Sequence, residues 1–219
     1  MQQPRGLDTL TGLETYGPFH AALEGLVQKG GGEAADYEFS VALADIDSFA
    51  KLNAEYGRDV CDALLEGLAE HLSKAAECRG TVYRYGGDAF AVLLPHTEKE
   101  EAFLLMEAMR RTYSGKVHVD AGAGRKAVSV AISAGLSAFP EDGGRAQELI
   151  RKMNEALYRA KIGGGGRVCL AREEKMVTKT SHYAQGQLHG LSRLAKREGV
   201  GEAVLLREAL DDLLRKYNR

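Results

Sequence analysis

Cysteine is scarce in this chain. Cys61, Cys78 and Cys169 are the only three among 219 residues, and no two form a CxxC pair. An odd, scattered set excludes a disulfide framework and fits free buried thiols in a reducing cytosol. Long apolar runs are absent too. No stretch is long enough to span a bilayer, and the opening MQQPRGLDTL lacks the apolar core of a signal peptide. A cytoplasmic protein with no membrane partner is therefore expected. Nor is there an excess of charge of one sign: 29 Lys/Arg stand against 31 Asp/Glu, a net of −2. The whole-chain balance names no partner. Its distribution is uneven, however, because residues 171–219 hold ten Lys/Arg and seven Asp/Glu while the remainder holds 19 and 24. This marks a mildly basic C-terminal module. What is present is ordinary for a soluble globular protein, 44% hydrophobic and 27% charged. The length suits one large domain, or one domain with a small module.

The pattern along the chain alternates helix and strand. A first helix is predicted from Tyr16 to Gln28, ended by Gly30-Gly31-Gly32. Tyr37 to Asp47 is β-rich and reads as a central strand closing in two acids. Val60, Ala63, Leu64, Leu68 and Leu72 recur at helical spacing and predict a helix over 59–75. Ala102, Phe103, Leu105, Met106 and Met109 mark another. Lys126 to Phe139 reads as one strand closed by Pro140. Leu149, Ile150, Met153, Ala156, Leu157 and Ala160 define a helix ending at the glycine run 163–166. Val168 to Leu170 is a short closing strand. Alternation of this kind implies an α/β sandwich over residues 1–171.

Between two apolar runs, Gly80 to Tyr85 and Phe90 to Pro95, lies Arg84-Tyr85-Gly86-Gly87-Asp88-Ala89-Phe90. Two apolar runs joined by a glycine pair read as a β-hairpin. Gly86 and Gly87 let the backbone turn tightly and let a bulky phosphate approach. Asp88 follows at the tip. Adjacent strand ends bring Asp45 and Asp88 within reach of one Mg²⁺, a hard cation that takes carboxylate and phosphate oxygens. Acids so arranged serve phosphoryl transfer. Strand-end acids that are merely solvated remain the plain alternative.

Five ordered segments carry a resemblance: Asp8-Thr9-Leu10-Thr11-Gly12-Leu13; Asp45-Ile46-Asp47-Ser48-Phe49 with Asn53, Gly57 and Asp62; the Gly86-Gly87-Asp88 turn; Ser133-Ala134-Gly135; and Ala156-Leu157-Tyr158-Arg159-Ala160-Lys161. Over residues 8–170 the chain resembles the GGDEF, or diguanylate cyclase, family. The resemblance implies a palm-like α/β domain with a central, mostly antiparallel sheet. It also implies metal held by Asp45, the Ile46 carbonyl and Asp88. A guanine nucleotide (GTP) would be bound by Asn53, Asp62, Phe49, Gly86, Gly87 and Lys161. Asn53 and Asp62 match the guanine-reading pair, and Lys161 matches a phosphate-binding lysine. A carboxylate suits the guanine N1 and N2 protons, and an amide suits its N3 or O6 edge.

The match fails on the metal and triphosphate side. Ala89 stands where the family has its second signature acid, so no catalytic residue is assigned. Gly165 stands where it has a phosphate-binding arginine. Ala50, Arg58 and Cys61 also depart. The stretch Glu77-Cys78-Arg79-Gly80 lacks the family's RxxD product-binding motif. Three readings stay open: a degenerate cyclase that binds guanine nucleotide, a working cyclase making cyclic di-GMP from two GTP, and a scaffold with a vestigial pocket.

Residues 172–219 begin with a charged linker, then change character. An extended VTKTSHY is followed by helical spacing at Leu188, Leu191, Leu194 and Ala195, a turn at Gly199–Gly201, and a second helix marked by Ala203, Leu206, Leu210, Leu213, Leu214 and Tyr217. This segment resembles a ribbon–helix–helix DNA-binding module, which implies a homodimer whose paired strands enter the major groove. Thr178, Thr180 and His182 share one strand face, and Lys179 lies on the other, within reach of phosphates. A helical hairpin used only for dimerisation or docking is the alternative.

Overall fold

A computed structural model describes residues 6–31, 37–121, 124–172, 181–198 and 201–217. The chain divides into two compact units, Met1–Glu173 and Glu174–Arg219.

The first unit is organised by its most apolar stretch. Strand β2 (Phe39–Ile46) is buried along its whole length, as a central strand covered on both faces must be. It pairs antiparallel with β4 (Ala89–Pro95) on one side and with β7 (Ile132–Phe139) on the other. Beyond β4 lies β3 (Thr81–Gly86), then the short β1 (Glu14–Thr15); beyond β7 lies β8 (Val168–Leu170). The two outermost pairings are parallel and the inner three antiparallel, so the sheet is mixed. Alternation along β2 splits the core in two. Ala42, Ala44 and Ile46 face a cluster with residues of α3 (Arg58–Ala76) and α4 (Lys99–Tyr113), while Phe39, Val41 and Leu43 face α1 (Tyr16–Gly30) and α5 (Ala146–Ile162). A short α2 (Phe49–Tyr56) links β2 to α3.

The contact between β7 and α5 explains the Ser133-Ala134-Gly135 segment. A Cβ at Gly135 would lie 2.1 Å from the Leu157 nitrogen and 2.2 Å from the Met153 oxygen. Only glycine lets the helix backbone come this close.

One predicted element is corrected. Residues 126–139 do not form a single strand. They divide into β6 (Gly124–Val130), which pairs with β5 (Gly115–Ala121) in a separate two-stranded sheet, and β7 in the main sheet. The cause is the length of the neighbour: the β2–β7 ladder ends at Ile46 opposite Ile132. Upstream of Ile132 the backbone has no partner in the main sheet and satisfies its polar groups with β5. At the break, the Ala131 carbonyl accepts a bond from Asp47 N at 2.9 Å.

The second unit contains α6 (Gln185–Glu198) and α7 (Glu202–Tyr217), joined by a hydrogen bond from the Ser192 hydroxyl to the Glu202 carboxylate. Among the described residues, no helix is long and apolar enough to cross a membrane.

Candidate functional site

The site forms where β2 ends beside the β3–β4 turn. The turn is built on positive φ: Gly86 has φ 149° and Gly87 φ 55°. A Cβ at either would meet nothing within 4 Å, so the dihedrals and not crowding select glycine. A register shift between Arg84 and Gly86 places Gly86 opposite Ala89, and the unbroken β2–β4 ladder sets Ala89 opposite Asp45. Asp88 is half-buried at the tip.

Asp45 is 6% exposed, and its Oδ1 lies 2.5 Å from Lys161 Nζ. The two form an ion pair, and that oxygen has no partner besides Lys161. Burial raises the Asp45 pKa above the ordinary carboxylate value. Lys161 pulls it back, and the charges of Asp88 and Asp47 push it further up. The structure therefore gathers Asp45, Asp88 and Lys161, three of the predicted residues. Ile46 follows Asp45 with its side chain in the core.

Across from Asp45, on the same sheet face, stands the Ala89 methyl, 8% exposed and packed in the α1–α5 cluster. A carboxylate at this position would be the cross-strand neighbour of Asp45. At Gly165, φ is +73° and a Cβ would lie 2.6 Å from Asp47 Oδ2. That same oxygen accepts the Gly166 N–H at 2.7 Å. Asp47 thus fastens the loop after α5 to the end of β2. Arg167 is exposed and donates from Nε to the Gly165 carbonyl at 3.2 Å.

The remaining predicted residues lie on the α2–α3 side. Asn53 is exposed on α2, and its carbonyl accepts the Gly57 N–H at 3.0 Å. Asp62 is half-exposed on α3, with Arg58 Nε 3.5 Å away. Phe49 opens α2 and packs against the α3 cluster. Thr178, Lys179 and Thr180 lie outside the described residues, and His182 is exposed.

Sequence reasoning missed the burial of Arg84. Its side chain ends the inward row of β3, lies 4.6 Å from the Phe90 ring centroid, and donates from Nη2 to the Gly87 carbonyl. Desolvation lowers its pKa, opposed by the charges of Asp8, Asp88 and Asp62. The signal available was an arginine between apolar neighbours, Tyr83 and Tyr85, on a strand opposite Phe90.

This donor set supplies part of the coordination shell of a hard divalent cation. Asp45 offers a buried oxygen held only by Lys161, and Asp88 is close enough to raise its pKa. Among the described residues no cluster of three or more His, Cys, Asp or Glu forms a full cage. Two carboxylates suit Mg²⁺, which keeps waters and takes the rest of its shell from substrate phosphates.

A mixed sheet with helices on both faces, and with Asp45 and Asp88 at its strand ends, belongs with the palm-like domains. Within that class, residues 6–167 match the family described as "Diguanylate cyclase, GGDEF domain", and the chain belongs to it. It is 33% identical over 159 residues to the response regulator PleD of Caulobacter vibrioides, covering 72% of this chain and 34% of PleD. It is 34% identical over 165 residues to diguanylate cyclase DgcM of Escherichia coli, covering 75% of this chain and 38% of DgcM. The chain thus spans about a third of the length of these relatives. Among solved structures, the GGDEF domain of TpbB (YfiN) from Pseudomonas aeruginosa superposes with a TM-score of 0.68 at 25% identity, covering 76% of this chain and 94% of that one. The GGDEF domain of DgcB from Caulobacter crescentus, solved with c-di-GMP, gives 0.70 at 22%, covering 78% and 98%, and supports the fold alone.

Proposed function

We propose that this chain binds a guanine nucleotide in its GGDEF domain with little or no cyclase activity, and that its C-terminal unit joins two copies and contacts DNA as a transcription regulator. The observation that carries the first part is the Ala89 methyl facing Asp45. Asp45 and Asp88 would hold one Mg²⁺, which would offset charge on the nucleotide phosphates. Lys161, now on Asp45, would turn to a phosphate. With alanine at 89 and glycine at 165, the pocket keeps its base-reading residues and loses charged contacts at the phosphate end. Each such electrostatic contact is worth roughly 10²–10³-fold in rate.

Incubation with GTP and Mg²⁺, followed by quantification of cyclic di-GMP, tests this. The native chain should bind GTP and make product at least about 10²-fold more slowly than Ala89→Glu. Equal rates would overturn the degenerate reading. They would favour a working cyclase whose tail serves dimerisation, a reading supported by the convergence of Asp45, Asp88 and Lys161.

A further inference from the structure

The last turn of α5 is tied to the end of β2 at two points. The first tie is a side chain: Lys161 Nζ lies 2.5 Å from Asp45 Oδ1. The second is backbone. Beyond Lys161 the chain runs through Gly163, Gly164, Gly165 and Gly166, and the last three hold φ of 104°, 73° and 60°. The first three amides close the helix. Gly163 N–H donates to the Arg159 carbonyl at 3.0 Å, Gly164 N–H to the Lys161 carbonyl at 3.2 Å, and Gly165 N–H to the Ala160 carbonyl at 3.0 Å. The fourth, on Gly166, leaves the helix and donates to Asp47 Oδ2 at 2.7 Å. An N–H bond this short to a carboxylate is of the stronger, charge-assisted kind.

The two ties close a ring. Asp45 meets Lys161 through side chains, the capped turn carries Lys161 to Gly166, Gly166 bonds Asp47, and Asp47 is two residues from Asp45. Asp47 is itself held, since its own N–H donates to the Ala131 carbonyl at 2.9 Å. Glycine at 165 permits the approach: a Cβ there would lie 2.6 Å from Asp47 Oδ2 and 3.0 Å from its Cγ. A ligand acts on the two ties differently. A phosphate oxygen competes with Asp45 for the Lys161 ammonium, whose side chain is 39% exposed and free to turn. The Gly166 amide is already bonded to a carboxylate of its own chain, and it keeps the helix end against β2 after the ammonium has left. Without that bond the lysine would hang from a run of glycines, the residues that lose most freedom on ordering, and the loss would be subtracted from binding.

We infer that Asp47 is a positioning residue: its carboxylate holds the Gly163–Gly166 cap, and with it the Lys161 backbone, so that the ammonium passes from Asp45 to a nucleotide phosphate without the end of α5 moving. This rests on the guanine-nucleotide reading above. Asp47 acts through Lys161 and touches neither base nor phosphate.

The test is equilibrium titration of the full-length chain, in Mg²⁺, with GTP and with guanosine, which lacks the phosphates. Asp47→Ala should weaken GTP by roughly 10-fold, the lower end of the range for a hydrogen bond to a charged group, and leave guanosine unchanged. Asp47→Asn keeps an oxygen for the Gly166 N–H and should recover most of the loss. Lys161→Met weakens GTP by itself, and in that background Asp47→Ala should add no further loss. A role confined to stability would weaken GTP and guanosine together, or weaken GTP equally with and without Lys161, and either result overturns the inference. Hydrogen exchange at the Gly166 amide needs no variant and so survives a failure of Asp47→Ala to fold. Its protection should be the same in the free chain and in saturating GTP, and protection lost on binding would also overturn the inference. A native chain that binds neither GTP nor guanosine defeats the guanine reading itself; native binding that Asp47→Ala leaves unaltered defeats only the role of Asp47.

Discussion

Asp45 carries its charge in a setting that resists it. The side chain is buried, Asp88 and Asp47 repel it, and Lys161 offsets only part of the cost. Its folded-state pKa therefore lies above the ordinary value. Stability linked to this group is fully present below the ordinary carboxylate range and is lost as pH rises through the raised value. Asp45→Asn removes that loss, and Lys161, 39% exposed, returns to water. The variant should melt at a higher temperature than the native chain at pH 7, with the gap closing as pH falls towards about 4. An equal or lower melting temperature at pH 7 would show that the Lys161 pair outweighs the burial. A higher melting temperature for Asp45→Asn fits a site that sacrifices stability to hold a cation or a phosphate. Asp45 was legible in the sequence because it closes an apolar run, and Asp88 because it follows the glycine pair of the turn. The bond from Gly166 to Asp47 was not, since the partners are 119 positions apart and nothing local couples them. The burial of Arg84 was equally hidden, because a lone arginine on a strand is more often solvent-facing.

Among the elements, α5 is the one on which both fold and site depend. It packs along β7 through Gly135, and its last turn carries Lys161. Gly135→Ala forces a Cβ into the backbone of Met153 and Leu157, atoms that cannot rotate away. Overpacking of this kind costs about 1–3 kcal/mol, which for a domain of this size lowers the melting temperature by roughly 2–12 °C. Because the helix must shift, GTP affinity should fall as well, although residue 135 touches no ligand. Calorimetric melting and GTP titration of the variant check both. Loss of stability with unchanged affinity would show that Lys161 does not depend on the helix position. Most elements were legible, as helical spacing and long apolar runs survive in one dimension. The boundary between β6 and β7 was not, because it is set by where β2 ends. The two-residue β1 has no periodicity to detect, and β5 exists as a strand only through its pairing with β6.

For the molecule as a whole, the C-terminal unit poses a problem of surface. Leu206, Leu210, Leu213 and Tyr217 recur on α7 at spacings of four, three and four, and all are exposed. Leu188 and Leu194 of α6 are exposed too. A unit of two helices this short has too little interior to shelter them alone, and a heptad-like stripe is the pattern one helix offers another. In the proposed ribbon–helix–helix pairing, a second copy of the chain would cover it. The full-length chain should sediment as a dimer, and Leu210→Glu combined with Leu213→Glu should turn it into a monomer while GTP binding in the first unit is retained. If the paired units grip DNA, the native chain should retard duplex DNA in a gel with strong salt dependence, and the monomeric variant should not. Lys179→Glu should weaken retention without dissociating the dimer, since its charge then repels the phosphates. A native monomer, or a monomeric variant that still retards DNA, would remove the tail from the regulatory reading and leave the guanine pocket to stand alone.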